Sequence, residues 1–192
     1  MNIFSLINKY RILQDEKAFI SELLNPKTQN EAFRKLLQLY QKPLYYHIRN
    51  IVLNHDDADD VLQNTFIKVF QHLKGFKGDS KLFSWMYRIA TNEAITFINQ
   101  KAKRNGTTSE ALQSKIVENL KSDSFFDGTE IQIKLQKAIV TLPEKQQLVF
   151  KMKYFEEMKY EDMSEILGTS VGALKASYHH AVKKIENYVN SN

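Results

Sequence analysis

The chain has no cysteine. That excludes disulfide frameworks, cysteine-ligated zinc, iron–sulfur clusters and thiol chemistry, and it fits a reducing compartment. Proline and glycine are scarce, three and six in 192 residues. A sandwich or barrel needs more turns than that. No run of about 18 apolar residues occurs, so neither a transmembrane helix nor direct membrane insertion is expected. The first residues, MNIFSLINKYRILQDEK, lack the basic leader and small-residue cleavage site of a signal peptide. No GxSxG, Walker loop, HExxH or Ser/His/Asp arrangement is visible, and no cofactor is implied. A cytoplasmic, mainly helical protein is expected.

What is present fits a globular chain. Hydrophobic residues make up 43% and charged residues 26%, enough to bury a core. The net charge is +5, and it is unevenly placed. Residues 1–104 hold 16 basic and 10 acidic side chains, whereas residues 105–192 hold 11 and 12. Residues 74–104 alone carry seven basic and two acidic groups. A concentrated basic surface suggests a polyanion, nucleic acid being the commonest.

Breaker clusters at residues 105–109, 122–124 and 127–129 divide the chain. The reading is an all-α protein of two small helical domains, residues 1–104 and 129–192. A flexible linker over 105–128 joins them, with room for one short helix spaced by Leu112, Ile116, Val117 and Leu120. Helices are expected over residues 31–53, kinked or split by Pro43, and over 57–74, 81–100 and 130–141, with another from Pro143.

The sharpest local pattern is YEDMSEILGTSVGALKASYHHAVKKI, residues 160–185. A short helix ends at Gly168, which suits a left-handed cap. Thr169 and Ser170 form the turn, and Ser170 suits the next N-cap. The second helix has Val171, Leu174, Tyr178, Ala181, Val182 and Ile185 on one face. Gly172, Ala173, Lys175, Ala176, His179, Lys183 and Lys184 lie on the other. Short helix, glycine turn, and longer helix with a small and basic face is a helix-turn-helix layout. Small residues let the backbone approach base edges and basic ones meet phosphate. Periodicity alone leaves a plain helical hairpin open.

Three stretches resemble the extracytoplasmic-function (ECF) sigma factors of bacterial RNA polymerase. They are DADDVLQNTFIKVF at 57–70, FKGDSKLFSWMYRIATNEA at 76–94, and LPEKQQLVF with the helix-turn-helix at 142–185. The wording SVGALKASYHHAVKKIE is most similar to the Bacteroidetes branch. The resemblance implies a subunit that binds core RNA polymerase, recognises promoter DNA and helps open it, with an anti-sigma factor as a further partner.

The residues support this reading piece by piece. With Leu62, Phe66, Val69, Phe70 and Leu73 turned inward, Asp60, Gln63, Asn64, Ile67, Lys68 and Gln71 are left outside. An exposed isoleucine among polar groups suits a partner surface. The resemblance assigns that surface, with Asp57, to the polymerase clamp. Asn64 stands where an acidic residue is usual.

Lys81, Ser84, Arg88, Asn92 and Thr96 fall on one side of the next helix, continued by Lys101, Lys103 and Arg104. The loop before it, residues 75–80, carries two glycines close together with Lys77, Asp79 and Ser80. Such a loop beside a basic helix can receive a flipped base of single-stranded DNA. The resemblance places the unpaired minus-ten strand there. Trp85, in step with Ile89, reads as core rather than as a stacking platform, and Phe76 and Phe83 remain core candidates.

In the second helix-turn-helix helix, the resemblance assigns minus-thirty-five recognition to the outer face, with Ser177 and His180 standing where arginines are frequent. His179 and His180 point about 100° apart on a helix and cannot chelate one ion together.

Two other classes compete. A stand-alone helix-turn-helix regulator would need no polymerase surface. A helical metal-dependent enzyme could use Asp56, Asp57, Asp59 and Asp60, but no second carboxylate cluster faces them in sequence. Helix capping and the helix dipole account for their position more simply.

Overall fold

The computed structural model describes residues 16–120 and 128–191. Among the described residues there are nine α-helices and no strand. They are α1 (Glu16–Leu24), α2 (Gln29–Val52), α3 (His55–His72), α4 (Leu82–Arg104), α5 (Ser109–Glu118), α6 (Glu130–Val140), α7 (Glu144–Tyr154), α8 (Tyr160–Leu167) and α9 (Val171–Ser191).

Helices α2, α3 and α4 pack on one another as a bundle, with α1 against α2. Their core holds Leu36, Tyr40, Leu44 and Ile48 from α2, Val61 and Val69 from α3, and Leu82, Met86, Ala90 and Ala94 from α4. Each fully buried Leu or Ile contributes roughly 1.5–3 kcal/mol from burial. Helix α1, which periodicity did not reveal, adds Phe19 and Leu23 one turn apart. Its Glu16 accepts a hydrogen bond from the Leu82 backbone N–H at 3.1 Å, capping α4 where Lys81 provides no side-chain cap.

Helix α2 runs unbroken through the buried Pro43, so the expected split does not occur. Tertiary packing on both sides outweighs the lost backbone hydrogen bond. The helix ends at Leu53, in the left-handed region at φ 64°. Asn54 follows as N-cap of α3, its side chain accepting from the Asp57 N–H at 3.0 Å.

The second domain has its own cluster of Ala138, Ile139, Leu142, Phe150, Ala181 and Ile185. Thr129 and Gln132 form a capping box at the start of α6. The expected linker helix is α5, which packs on α4 and α6. Val117 and Leu120 join Leu53 and Val140 in a small cluster. Residues 121–127 of that linker lie outside the described residues.

The first domain's core does not stop at its boundary. Leu148, Val149, Met152, Met158, Met163, Ile166 and Leu174 belong to the same buried cluster as the residues of α2 and α4. The second domain therefore sits closed against the first.

Three expected facings are corrected. Phe70 is exposed, at 43%. It lies about 40° beyond Phe66, outside the edge of the inward row formed by Leu62, Phe66, Val69 and Leu73. Ser84 is fully buried and not on the exposed stripe. It lies about 60° round α4 from Lys81, on the side where Tyr87 and Thr91 face α2. Asp57 is buried too. Its carboxylate accepts from Lys101 Nζ at 2.6 and 2.7 Å, so two residues expected at different partners clamp α3 to α4 instead.

Candidate functional site

An open groove of about 600 Å³ lies between α2 and α3. Phe33 and Leu37 form one wall, and Leu62, Phe66, Ile67 and Phe70 the other, with Gln41, Gln63 and Gln71 at the rim. Phe33 and Phe70 meet edge to face at 5.0 Å. Ile67 is 54% exposed. Asp60, Gln63, Asn64, Lys68 and Gln71 are exposed around it, and Lys68 reaches Glu93 at 2.5 Å. Large apolar side chains in a concave, polar-rimmed surface are the features of a protein-binding site. Periodicity had turned Phe70 inward and so missed that this groove has an aromatic end.

Lys77, Asp79, Lys81, Arg88, Asn92, Lys103 and Arg104 are exposed, and Ser80 is half-buried. Phe76 is buried and packs 4.9 Å from Trp85; Phe83 is core. Trp85 supports the loop from beneath. Two of the basic groups already hold partners from the second domain. Lys81 Nζ donates to Asp162 Oδ1 at 2.8 Å, and Arg88 donates to the Glu165 carbonyl.

Helices α8 and α9 form the helix-turn-helix. Gly168 closes α8 at φ 62°. Ser170 caps α9, its Oγ accepting from the Ala173 N–H at 3.3 Å. Thr169 is half-buried, its hydroxyl donating to the Leu167 carbonyl at 3.3 Å. Gly172, Ala173, Lys175, Ala176, His179, His180 and Lys183 are exposed, and Ser177 is half-buried. A Cβ built at Gly172 would meet nothing. Packing does not demand glycine there; the bare backbone faces outward. Lys153 and Lys175 both stand over the Tyr160 ring, at 5.0 and 5.8 Å.

A further group joins the domains. His47 Nδ1 lies 3.0 Å from both carboxylate oxygens of Glu156, and Nε2 lies 2.9 Å from Thr91 Oγ1. All three residues are buried. The Thr91 hydroxyl also donates to the Tyr87 carbonyl at 2.7 Å.

Family models match in the order that the surfaces stand. Sigma-70 region 2 matches residues 36–104, and Sigma-70 region 4 matches residues 132–185. The chain belongs to the ECF sigma factors. Among curated relatives of this sigma factor is the ECF RNA polymerase sigma factor SigW of Bacillus subtilis (strain 168). It is 29% identical over 161 residues, which cover 80% of this chain and 86% of SigW. The ECF RNA polymerase sigma-E factor of Haemophilus influenzae is 26% identical, covering 83% of this chain and 88% of that one. Two solved structures share the fold. One is CnrH in complex with the cytosolic domain of CnrY, with TM-score 0.67, 17% identity, and coverage of 92% of this chain and 98% of that one. The other is the sigma factor RpoE in complex with the anti-sigma factor NepR from Bartonella quintana, with TM-score 0.59, 21% identity, and coverage of 82% and 96%.

Proposed function

We propose that this sigma factor engages core RNA polymerase through the α2–α3 groove, with Ile67 at its centre and Asp60, Gln63, Asn64, Lys68 and Gln71 around it. Asp57 serves that surface indirectly, by fixing α3 to Lys101. The edge formed by Lys77, Asp79, Ser80, Lys81, Arg88, Asn92, Lys103 and Arg104 holds the unpaired minus-ten strand. The outer face of α9, from Thr169 to Lys183, lies in the major groove of the minus-thirty-five element. Residues 1–104 and 129–192 act as the two working domains, with 105–128 between them. The protein directs promoter-specific initiation, performs no bond chemistry itself, and works in the cytoplasm.

The observation that carries this reading is the presence on one chain of an apolar docking groove and a helix-turn-helix. A stand-alone regulator has no use for the groove. An anti-sigma factor is a further partner in this reading, supported by the complex of RpoE, which shares this fold, with the anti-sigma factor NepR.

Co-purification with core polymerase tests the reading. The unaltered chain is expected to retain the large polymerase subunits, and Ile67→Glu to lose them by about tenfold or more, because a desolvated charge replaces a contact. Its fold should survive, since Ile67 already faces water. Equal retention by the variant would remove the groove from the interaction. Tight, sequence-specific promoter binding by the free chain at physiological salt would favour the stand-alone regulator.

A further inference from the structure

We propose that a single halide ion, chloride in ordinary solution, binds in a small cavity where the first turns of α5 and α7 meet α2 and α4, as counter-ion to the buried ammonium of Lys151. The site shares no residue with the α2–α3 groove, the basic edge of α4 or the outer face of α9. It stands or falls independently of what those surfaces bind.

The cavity measures about 20 Å³, room for one water-sized particle. Ile51, Ile95, Ile98 and Leu148 give it apolar walls, a lining in which an unpaired charge is costly. Lys151 lines it from α7 and is 2% exposed. Among the described residues its Nζ has one hydrogen bond, a long one to Gln147 Oε1 at 3.4 Å, and no carboxylate pairs with it. An ammonium has three N–H groups, so two are left over. Burial lowers the pKa to about 8, so at neutral pH the cation is still the resident form. A buried charge of this kind calls for an opposite one.

The surroundings favour an anion. Ser109 and Glu144 are the first residues of α5 and α7, and both line the cavity. The positive ends of two helix dipoles therefore meet there. The N-cap of α7 is Pro143, and no side chain caps that helix. Gln113 gives one amide N–H to the Ile51 carbonyl at 3.4 Å and has a second to give. Asn99 accepts from the Ser109 hydroxyl through its amide oxygen, which leaves its amide nitrogen to donate. A water would complete these hydrogen bonds but not the charge; a monatomic anion does both. Phosphate, sulfate and carboxylates have several heavy atoms and do not fit.

Two carboxylates work against the ion. Glu110 and Glu144 stand at the edge of the cavity, and both are exposed. Their charges are solvated, so they weaken the attraction without cancelling it. Binding is therefore expected over salt-like concentrations of the ion.

The test uses the full chain at neutral pH in sodium gluconate, whose anion is too large for the cavity. Chloride then replaces gluconate at constant ionic strength. The melting temperature of the unaltered chain is expected to rise by about 2–4 °C as chloride reaches about 0.3 M. Lys151→Met should abolish that rise. Glu144→Gln, at an exposed position, should move its midpoint to several-fold lower chloride. Bromide gives a direct view. Crystals of the unaltered chain grown in sodium bromide should show an anomalous-scattering peak within hydrogen-bond distance of Lys151 Nζ. No rise with chloride, or an equal rise in Lys151→Met, would overturn the proposal and leave water or a rim carboxylate as the partner of the ammonium. Should Lys151→Met fail to fold, the bromide crystals decide, and a cavity without a peak overturns the proposal.

Discussion

Lys151 carries a charge into the junction between the domains. It is fully buried on α7, 3.4 Å from Gln147 Oε1, and burial lowers its pKa to about 8. The ammonium is disfavoured in the folded chain, so the folded state loses its proton before the unfolded state does. Stability from this group is therefore missing below about pH 8 and is gained as pH rises towards the unfolded value near 10.4. Replacing Lys151 by methionine keeps the stem and removes the charge. Lys151→Met should raise the melting temperature at pH 7, by an amount corresponding to about 1–3 kcal/mol. It should also flatten the rise in stability between about pH 8 and 10 that the unaltered chain shows. Thermal melts at both ends of that window check it; a variant less stable at pH 7 would mean the ammonium is satisfied where it lies. At this scale the sequence is only partly legible. Ile67 could be placed outside by counting along α3, whereas nothing in the local pattern marks His47. Its partner lies 109 residues away, and no spacing rule reaches that far.

Helices were the most legible part, because apolar spacing and caps act locally. Gly168 and Ser170 bound the helix-turn-helix turn as their chemistry requires. Facing was less legible than existence. Phe70 and Ser84 each sit one step off the side that a simple stripe assigns, because α3 and α4 are packed from more than one direction. The two glycines of the motif separate structure from recognition. A Cβ at either meets nothing, yet their backbones differ. Gly168 lies at φ 62°, where a Cβ costs roughly 1–2 kcal/mol, so Gly168→Ala should lower stability by about that amount. Gly172 lies in regular helix, so Gly172→Ala should stabilise by about 0.5–1 kcal/mol. On the proposed docking of α9 the added methyl would stand between the helix and the base edges, and initiation from a minus-thirty-five-dependent promoter should fall. Denaturant melts and in vitro transcription by holoenzyme measure the two effects. Unchanged transcription with Gly172→Ala would turn that face of α9 away from the groove.

At the scale of the whole molecule, the order of surfaces along the chain was readable and their closure was not. Two composition-defined domains with breakers between them suggest parts that move independently. The described part of the linker is instead a packed helix, and the main apolar cluster runs from α2 and α4 into α7, α8 and α9. Nothing local in the sequence encodes that continuity; it arises because Met152, Met158, Met163 and Ile166 complete a surface made by residues of α2 and α4, far earlier in the chain. Shared burial of this kind couples unfolding of the parts. The unaltered chain should melt in one transition seen identically by far-ultraviolet dichroism and by calorimetry, with equal calorimetric and van't Hoff enthalpies. Glu156→Gln removes the charged partner of His47 while leaving each domain's own core intact, so its melt should broaden or divide as the smaller domain is released. Met163→Ala removes apolar contact at the junction and should cost about 2–5 kcal/mol if the cluster is one cooperative unit. Two resolved transitions in the unaltered chain would show that the domains touch without depending on each other. In that case a partner could separate them without disturbing either fold.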